Sequence, residues 1–267
     1  MIQNTKIPAP ENIGTVEIFG VVLSNVVQAV IIGLKELNID FIHVPVQPRS
    51  MEALRINPFG TVPSLIHRPN TIYSQGRDRI VLFEPLAIAR YIDEFLAPAA
   101  NVPQEKRLSA VLPDPSDTHY AVAALQRVEM DQLVSIVAVR VQKVIGDQFV
   151  LPYFALRNNG ASQEDIKVAL SDRVESVTDS LILLEKAIKD LRAKPDVADG
   201  KFLVGDHITW ADVFLFPLLR DLKATKLVNA LHGGANDCVP WLAAWYAEFE
   251  KRESAMASFP GTFASSV

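Results

Sequence analysis

The chain has 267 residues, with 26 Lys+Arg against 31 Asp+Glu, and a formal charge of −5. That balance excludes the overall electrostatic footprint of a duplex-DNA or anionic-membrane binder, so neither a nucleic-acid nor a membrane partner is expected. Hydrophobic residues make up 49 % and charged residues 21 %, enough to bury a core in one large domain or two and too apolar for global disorder. The single cysteine, Cys238, excludes an intrachain disulfide, a CxxC pair and an all-cysteine metal site, and it fits a reducing compartment.

The opening segment, MIQNTKIPAPENIG, is polar and proline-bearing, so no secretory leader is expected from it. Thr15–Gly20 reads as a strand, and Asn25–Leu37 as a helix with an apolar stripe at Val27, Val30, Ile31 and Leu34. Asp40–Val46 reads as a second strand, with Pro45 marking its edge or end. After an irregular stretch, Pro63–Ile66 and Ile80–Phe83 read as two short strands. Pro85–Leu96 then reads as a helix whose proline sits in the first turn, where a missing N–H costs little. The order is βαβ followed by ββα.

Pro98, Pro103, Pro113 and Pro115 crowd Ala97–Asp117 and predict an extended linker. Beyond it strand signals nearly vanish, and Thr118–Gly146, Ser162–Leu191, Thr209–Leu219 and Val239–Arg252 read as helices. The most apolar stretch, Ala121–Ile145, carries Arg127, Glu129, Asp131 and Arg140, which argues for a packed helix and against a bilayer span. In GDHITWAD, Thr209 and Asp212 have the spacing of a capping box, flanked by Ile208 and Val213 as a hydrophobic staple. Such a cap contributes about 1 kcal/mol of stability.

In NPFGTVPSL, Asn57–Leu65, Gly60 permits a turn and Val62-Pro63 opens a strand. A trans proline at a strand start is the ordinary reading. A cis bond there would turn the chain and leave the N–H and C=O of Val62 free to pair with a short peptide.

This segment, with FEPLAIARYIDE at Phe83–Glu94 and GDHITWADVFLFPLL at Gly205–Leu219, resembles in order and spacing the three landmarks of the cytosolic glutathione S-transferases. The closing WLAAWYAEFEKRESAMASFPGTF is similar to the end of fungal members. The resemblance implies an α/β thioredoxin-like N-terminal domain, residues 1–97, and an all-helical C-terminal domain, residues 118–267. It implies glutathione as co-substrate without a metal, a hydrophobic small molecule as acceptor, and an acceptor site between the domains. A homodimer, a cytoplasmic setting and a detoxifying role come with it, and so does a cis Val62-Pro63 bond, with Val62 binding the cysteinyl residue of glutathione.

Residue by residue, Ser24 matches the thiol-activating serine of the phi-like and theta-like classes. No tyrosine or cysteine lies in Val16–Leu37, which excludes a tyrosine-type loop and argues against a deglutathionylating one. A hydroxyl that donates to sulfur favours the thiolate, and the adjacent helix N-terminus adds positive potential. Ser24 equally suits the N-cap of that helix, and the Asn25 amide is the alternative donor. Glu84 matches the residue that holds the γ-glutamyl end, whereas Pro85 departs from the family's serine and removes a hydroxyl and an N–H. Pro63 and Arg49 complete the expected glutathione contacts, Arg49 near the glycyl carboxylate. Val21, Val22, Leu23 and Gln132 are expected to line the acceptor site, and each reads equally as ordinary packing. The five histidines are scattered without metal-ligand spacing, and no nucleotide-binding glycine motif is present. His67–Arg79 is long for a hairpin connection. A scaffold with a weakened γ-glutamyl site could instead carry apolar ligands or regulate without catalysis.

Overall fold

The computed structural model describes residues 13–70, 76–193, 200–234 and 237–266. The chain divides into two compact units, Met1–Pro113 and Asp114–Val267.

The first unit is built on a four-stranded sheet of order β2-β1-β3-β4, formed by β1 (Thr15–Phe19), β2 (Ile42–Val44), β3 (Ser64–Arg68) and β4 (Ile80–Phe83). β1 and β2 run parallel and therefore need a crossover, which α1 (Asn25–Glu36) supplies. β1–β3 and β3–β4 are antiparallel. Along β1, Val16 and Ile18 point inward while Glu17 and Phe19 are half-exposed, the period-2 alternation of a half-buried strand. β3 is buried from Ser64 to His67 on both faces, as a central strand must be. Val27, Val30, Ile32 and Leu34 of α1 join Ile88 and Ile92 in the core.

α3 (Pro85–Tyr91) continues into a π-helical turn, Ile92–Leu96, and a last turn, α4 (Ala97–Ala99). The expected extended linker is partly folded. A 3₁₀ turn forms at Gln104–Lys106, and Leu108 and Ser109 are buried. The reason is Asp93, a buried carboxylate that accepts from the Leu108 N–H at 3.2 Å and from the Ser109 hydroxyl. The irregular stretch before β3 also holds a six-residue helix, α2 (Met51–Ile56), capped by the Ser50 hydroxyl, which accepts from the Ala53 N–H at 3.1 Å.

Among the described residues of the second unit, the regular elements are all helices. α5 (Tyr120–Ser135) passes into a π-helical stretch, Ile136–Val150, and then α6 (Leu151–Asn158). The expected stop at Gly146 does not occur, because this glycine sits inside the helix against the Gln142 side chain. α7 (Gln163–Arg192) matches its expected span within a residue or two. α8 (Trp210–Thr225) runs past its expected end with Pro217 inside it. It is buried around nearly its whole circumference, as the central helix of a bundle is. α9 (Pro240–Phe249) and α10 (Glu253–Ala257) replace the single expected last helix.

The capping box of α8 has a second task. The buried Asp212 carboxylate accepts from the N–H and hydroxyl of Thr209, the Leu203 N–H and the Trp245 indole N–H, each at 2.9 Å. It thereby ties the start of α8 to the preceding loop and to α9. Burial pushes this carboxyl up from the ordinary carboxylate value, and the four donors pull it back. Among the described residues, no helix is long and apolar enough to cross a membrane.

Candidate functional site

Strand register gathers the sequence-predicted residues of the first unit. Ser64, the first residue of β3, pairs with Phe19 at the end of β1 and with Phe83 at the end of β4. The β1–α1 loop, the Val62-Pro63 segment and the Glu84-Pro85 step therefore emerge at one end of the sheet.

The β1–α1 loop is pinned from below. Gly20, at φ 149°, lies so close to its neighbours that a Cβ there would stand 2.5 Å from Val27 Cγ2 and 3.1 Å from Val62 Cβ. Only glycine permits that approach, and it brings Val62 against the loop. The imidazole of His43 donates from Nε2 to the Gly20 carbonyl at 2.7 Å, and the buried Gln28 amide donates to the Val22 carbonyl at 2.6 Å. The Ser24 N–H closes the turn onto the Val21 carbonyl at 3.0 Å.

Ser24 is the N-cap of α1, its hydroxyl oxygen accepting from the Val27 N–H at 3.4 Å. The hydroxyl proton has no acceptor among the described residues. Capping and donation to a ligand therefore use different parts of one hydroxyl and do not compete. The N–H groups of Asn25 and Val26 also lack partners among the described residues and add the positive end of the helix dipole. Asn25 is 8 % exposed, with its Oδ1 buried and unpartnered, an arrangement that costs about 1–3 kcal/mol unless something donates to it.

The Val62-Pro63 bond is cis, as the resemblance implied. Neither the N–H nor the C=O of Val62 has a partner among the described residues. The loop before it is organised by Asn57, whose side chain is fully buried. The Asn57 Nδ2 donates to the Thr61 carbonyl at 3.0 Å and to its hydroxyl at 2.8 Å, while Oδ1 accepts from the Phe59 N–H at 3.0 Å. The Gly60 N–H closes onto the Asn57 carbonyl, and the Arg49 N–H onto the Gly60 carbonyl, both at 2.8 Å. Gly60, at φ 65°, stands 3.1 Å from the Arg49 Cα if given a Cβ. Arg49 is itself left-handed, at φ 61°, and its side chain is exposed.

Glu84 adopts φ 74°, ψ 123°. Pro85 accounts for the extended ψ, since proline bars the preceding residue from the helical region. It does not account for the positive φ, which costs a non-glycine residue roughly 1–3 kcal/mol and is characteristic of ligand-clamping positions. The result is an exposed carboxylate beside the N–H groups of Leu86 and Ala87, which have no partner among the described residues.

The remaining expected residues are more dispersed. Val21 and Val22 are half-buried and Leu23 is 41 % exposed on the β1–α1 loop. Gln132 lies exposed on α5 of the second unit. Residues 71–75 of the long hairpin connection lie outside the described residues, as do residues 1–12. Among the described residues no group of three or more His, Cys, Asp or Glu gathers to hold a metal ion.

His43, Gln28 and Asn57 escaped sequence reasoning. Only Asn57 carried a legible signal, as the first residue of a turn-forming Asn-Pro pair. His67 has a different task. Its Nε2 donates to the Ile13 carbonyl at 2.7 Å, so Nδ1 accepts from the Tyr91 hydroxyl at 2.6 Å. Burial lowers the imidazole pKa below its ordinary value and raises that of the Tyr91 phenol.

Two family models match the chain. One, the glutathione S-transferase N-terminal domain, matches residues 23–94, and the other, the glutathione S-transferase C-terminal domain, matches residues 167–248. Together they take in more than half of the sequence. A search of curated proteins found no match. Among solved structures, glutathione transferase F7 from Populus trichocarpa is similar at 20 % identity and a TM-score of 0.63, over 92 % of this chain and 99 % of that one. Glutathione transferase URE2P8 from Phanerochaete chrysosporium, solved with oxidized glutathione, is similar at 18 % identity and 0.62, over 92 % and 94 %. The Tau class glutathione S-transferase MiGSTU from mango, Mangifera indica, is similar at 22 % identity and 0.60, over 92 % and 93 %.

Proposed function

The chain belongs to the glutathione S-transferase family, and from that premise we propose that it binds glutathione at the sheet end described above and activates its thiol for attack on a hydrophobic electrophile. The observation that carries this reading is the pairing of an unpartnered Val62 main chain with a free Ser24 hydroxyl proton, brought together by Gly20.

In this reading the cysteinyl main chain of glutathione pairs with the Val62 N–H and C=O as an added antiparallel strand. The sulfur then meets the Ser24 O–H. A thiol has an ordinary pKa of about 8.5, and only its thiolate is strongly nucleophilic. Ser24 donates to sulfur and takes no proton. The free N–H groups of Asn25 and Val26 lend further positive potential, so the ionised form is favoured. The Asn25 side-chain NH2 is the second candidate donor to the sulfur. Glu84 receives the γ-glutamyl ammonium, and Arg49 lies on the side of the glycyl carboxylate. Val22, Leu23 and Gln132 are the acceptor-side residues of the same proposal. A serine-type active site of fungal kind, a homodimer, a cytoplasmic setting and a detoxifying role belong to this reading. The likeness to a transferase solved with oxidized glutathione supports the co-substrate.

Pro85 favours a second reading, a scaffold that carries ligands without conjugating them. It withholds a hydroxyl and an N–H from the γ-glutamyl carboxylate, each worth about 1.5–3 kcal/mol to a charged partner. Calorimetric titration of glutathione, followed by conjugation of a generic aromatic electrophile by wild type and Ser24→Ala, separates the two. Glutathione binding with a Ser24-dependent rate is the expected result. No glutathione binding beside firm uptake of an apolar dye would leave only the carrier.

A further inference from the structure

The β1–α1 loop, Gly20–Ser24, carries no charged side chain and forms no regular element, yet its first three carbonyls are all held. The His43 imidazole donates to Gly20 at 2.7 Å, the Ser24 N–H to Val21 at 3.0 Å, and the Gln28 amide to Val22 at 2.6 Å. Gln28 is the unusual member of this set. From Val27 to Leu34 α1 is buried at every position, and Gln28, fully buried, is the one polar side chain in that run. Burying an amide is unfavourable unless it is paired. Packing alone would be served by methionine, which is unbranched and of similar length. The amide is explained by the loop carbonyl it holds.

Ser24 depends on that hold. The contact that locates its hydroxyl from within α1, the Val27 N–H, is 3.4 Å long, beyond the usual limit of about 3.2 Å. The two side-chain anchors of the loop are much shorter, and Gln28 grips the carbonyl two residues before Ser24. The N–H groups of Asn25 and Val26 belong instead to a helix fixed by the buried Val27, Val30 and Ile32. Loosening the loop therefore moves the Ser24 hydroxyl and leaves the helix end in place.

We propose that Gln28, assisted by His43, is a positioning residue for thiol activation: it holds the β1–α1 loop so that the Ser24 O–H is presented to the sulfur. The assignment rests on the proposed transferase reading and names what that reading leaves open, the group that aims Ser24. Neither Gln28 nor His43 needs to touch the tripeptide, whose main chain is held at Val62.

The test uses the full chain and follows thiolate absorbance of bound glutathione against pH. With Gln28→Met the thiol pKa should rise by about half a unit or more toward the ordinary value of about 8.5. Affinity for S-methylglutathione, which has no thiol to ionise, should change by less than about two-fold. In a Ser24→Ala background the same substitution should move the pKa by less than about 0.2 unit, because its effect passes through Ser24. His43→Leu should shift the pKa in the same direction. His43→Gln, whose amide nitrogen lies as many bonds from the backbone as Nε2, should restore it. An unchanged pKa in Gln28→Met, an undiminished shift in the absence of Ser24, or an S-methylglutathione affinity that falls as far as the pKa shift accounts for would overturn the assignment. Should Gln28→Met not fold, the two His43 variants decide by the same criteria. A wild-type thiol that titrates like free glutathione would overturn the transferase reading as well. A lowered, Ser24-dependent pKa that ignores Gln28 and His43 would overturn this assignment alone.

Discussion

Replacing Asn57 by alanine probes the loop that presents Val62. The side chain makes three hydrogen bonds from a fully buried position, two from Nδ2 to Thr61 and one from the Phe59 N–H to Oδ1. Each is worth about 0.5–1.5 kcal/mol net, so the loss should amount to roughly 2–4 kcal/mol. Asn57→Asp keeps the acceptor for Phe59 and turns an acceptor toward the Thr61 carbonyl, so it should be no better than alanine. Thr61→Ala removes only the 2.8 Å hydroxyl contact and should cost about 0.5–1.5 kcal/mol. Denaturant titration gives the stabilities, and calorimetry gives glutathione affinity for the variants that remain folded. Because the three bonds fix the approach to Val62, affinity should fall further than stability alone requires. In the double variant the Asn57 and Thr61 losses should be non-additive. Full stability and undiminished glutathione affinity in Asn57→Ala would refute the view that this residue builds the site.

Restoring the family's serine with Pro85→Ser should tighten glutathione binding, and unchanged or weaker affinity by calorimetry would count against the account of the γ-glutamyl end. His67 is neutral in the folded state with its pKa lowered by burial, whereas the unfolded chain takes up a proton near the ordinary value of about 6.5. Stability should therefore decline as pH falls below about 6.5, by up to about 1.4 kcal/mol per unit until the folded pKa is reached. His67→Gln should flatten that decline in denaturant titrations at stepped pH. Asp212→Ala removes the acceptor of four hydrogen bonds and leaves the buried Trp245 N–H unpaired. A loss of about 3–5 kcal/mol is expected, and a shift under about 1 kcal/mol would contradict the tie between α8 and α9.

Much of the fold was legible because its signals are local. The alternation in β1, the stripe on α1 and the spacing of Thr209 and Asp212 each predict an element from neighbouring residues. Helix ends were less legible where the usual stop residue was absorbed. Gly146 and Pro217 both lie inside helices, held there by packing that local pattern does not record. The linker was misjudged for a related reason. Its prolines predict extension, but Asp93, fifteen and sixteen residues upstream, folds Leu108 and Ser109 onto the first unit.

For the candidate site, Ser24, Val62 and Glu84 are named by motifs in the sequence, yet what holds them in place is not legible there. His43 meets Gly20 across 23 positions of sequence, and only the parallel pairing of β1 with β2 brings them together. The positive φ of Glu84 likewise has no cause in its neighbours, since Pro85 dictates only the extended ψ.

The central claim concerns the sulfur of a bound tripeptide, and its ionisation can be followed directly. Thiolate absorbance of glutathione bound to the protein, titrated against pH, should give a pKa below the ordinary value of about 8.5. With Ser24→Ala that pKa should return toward the free value, while Ser24→Asn, which keeps a good helix cap, controls for lost stability. A bound thiol that titrates like free glutathione in the wild-type protein, or one indifferent to Ser24→Ala, would contradict the account.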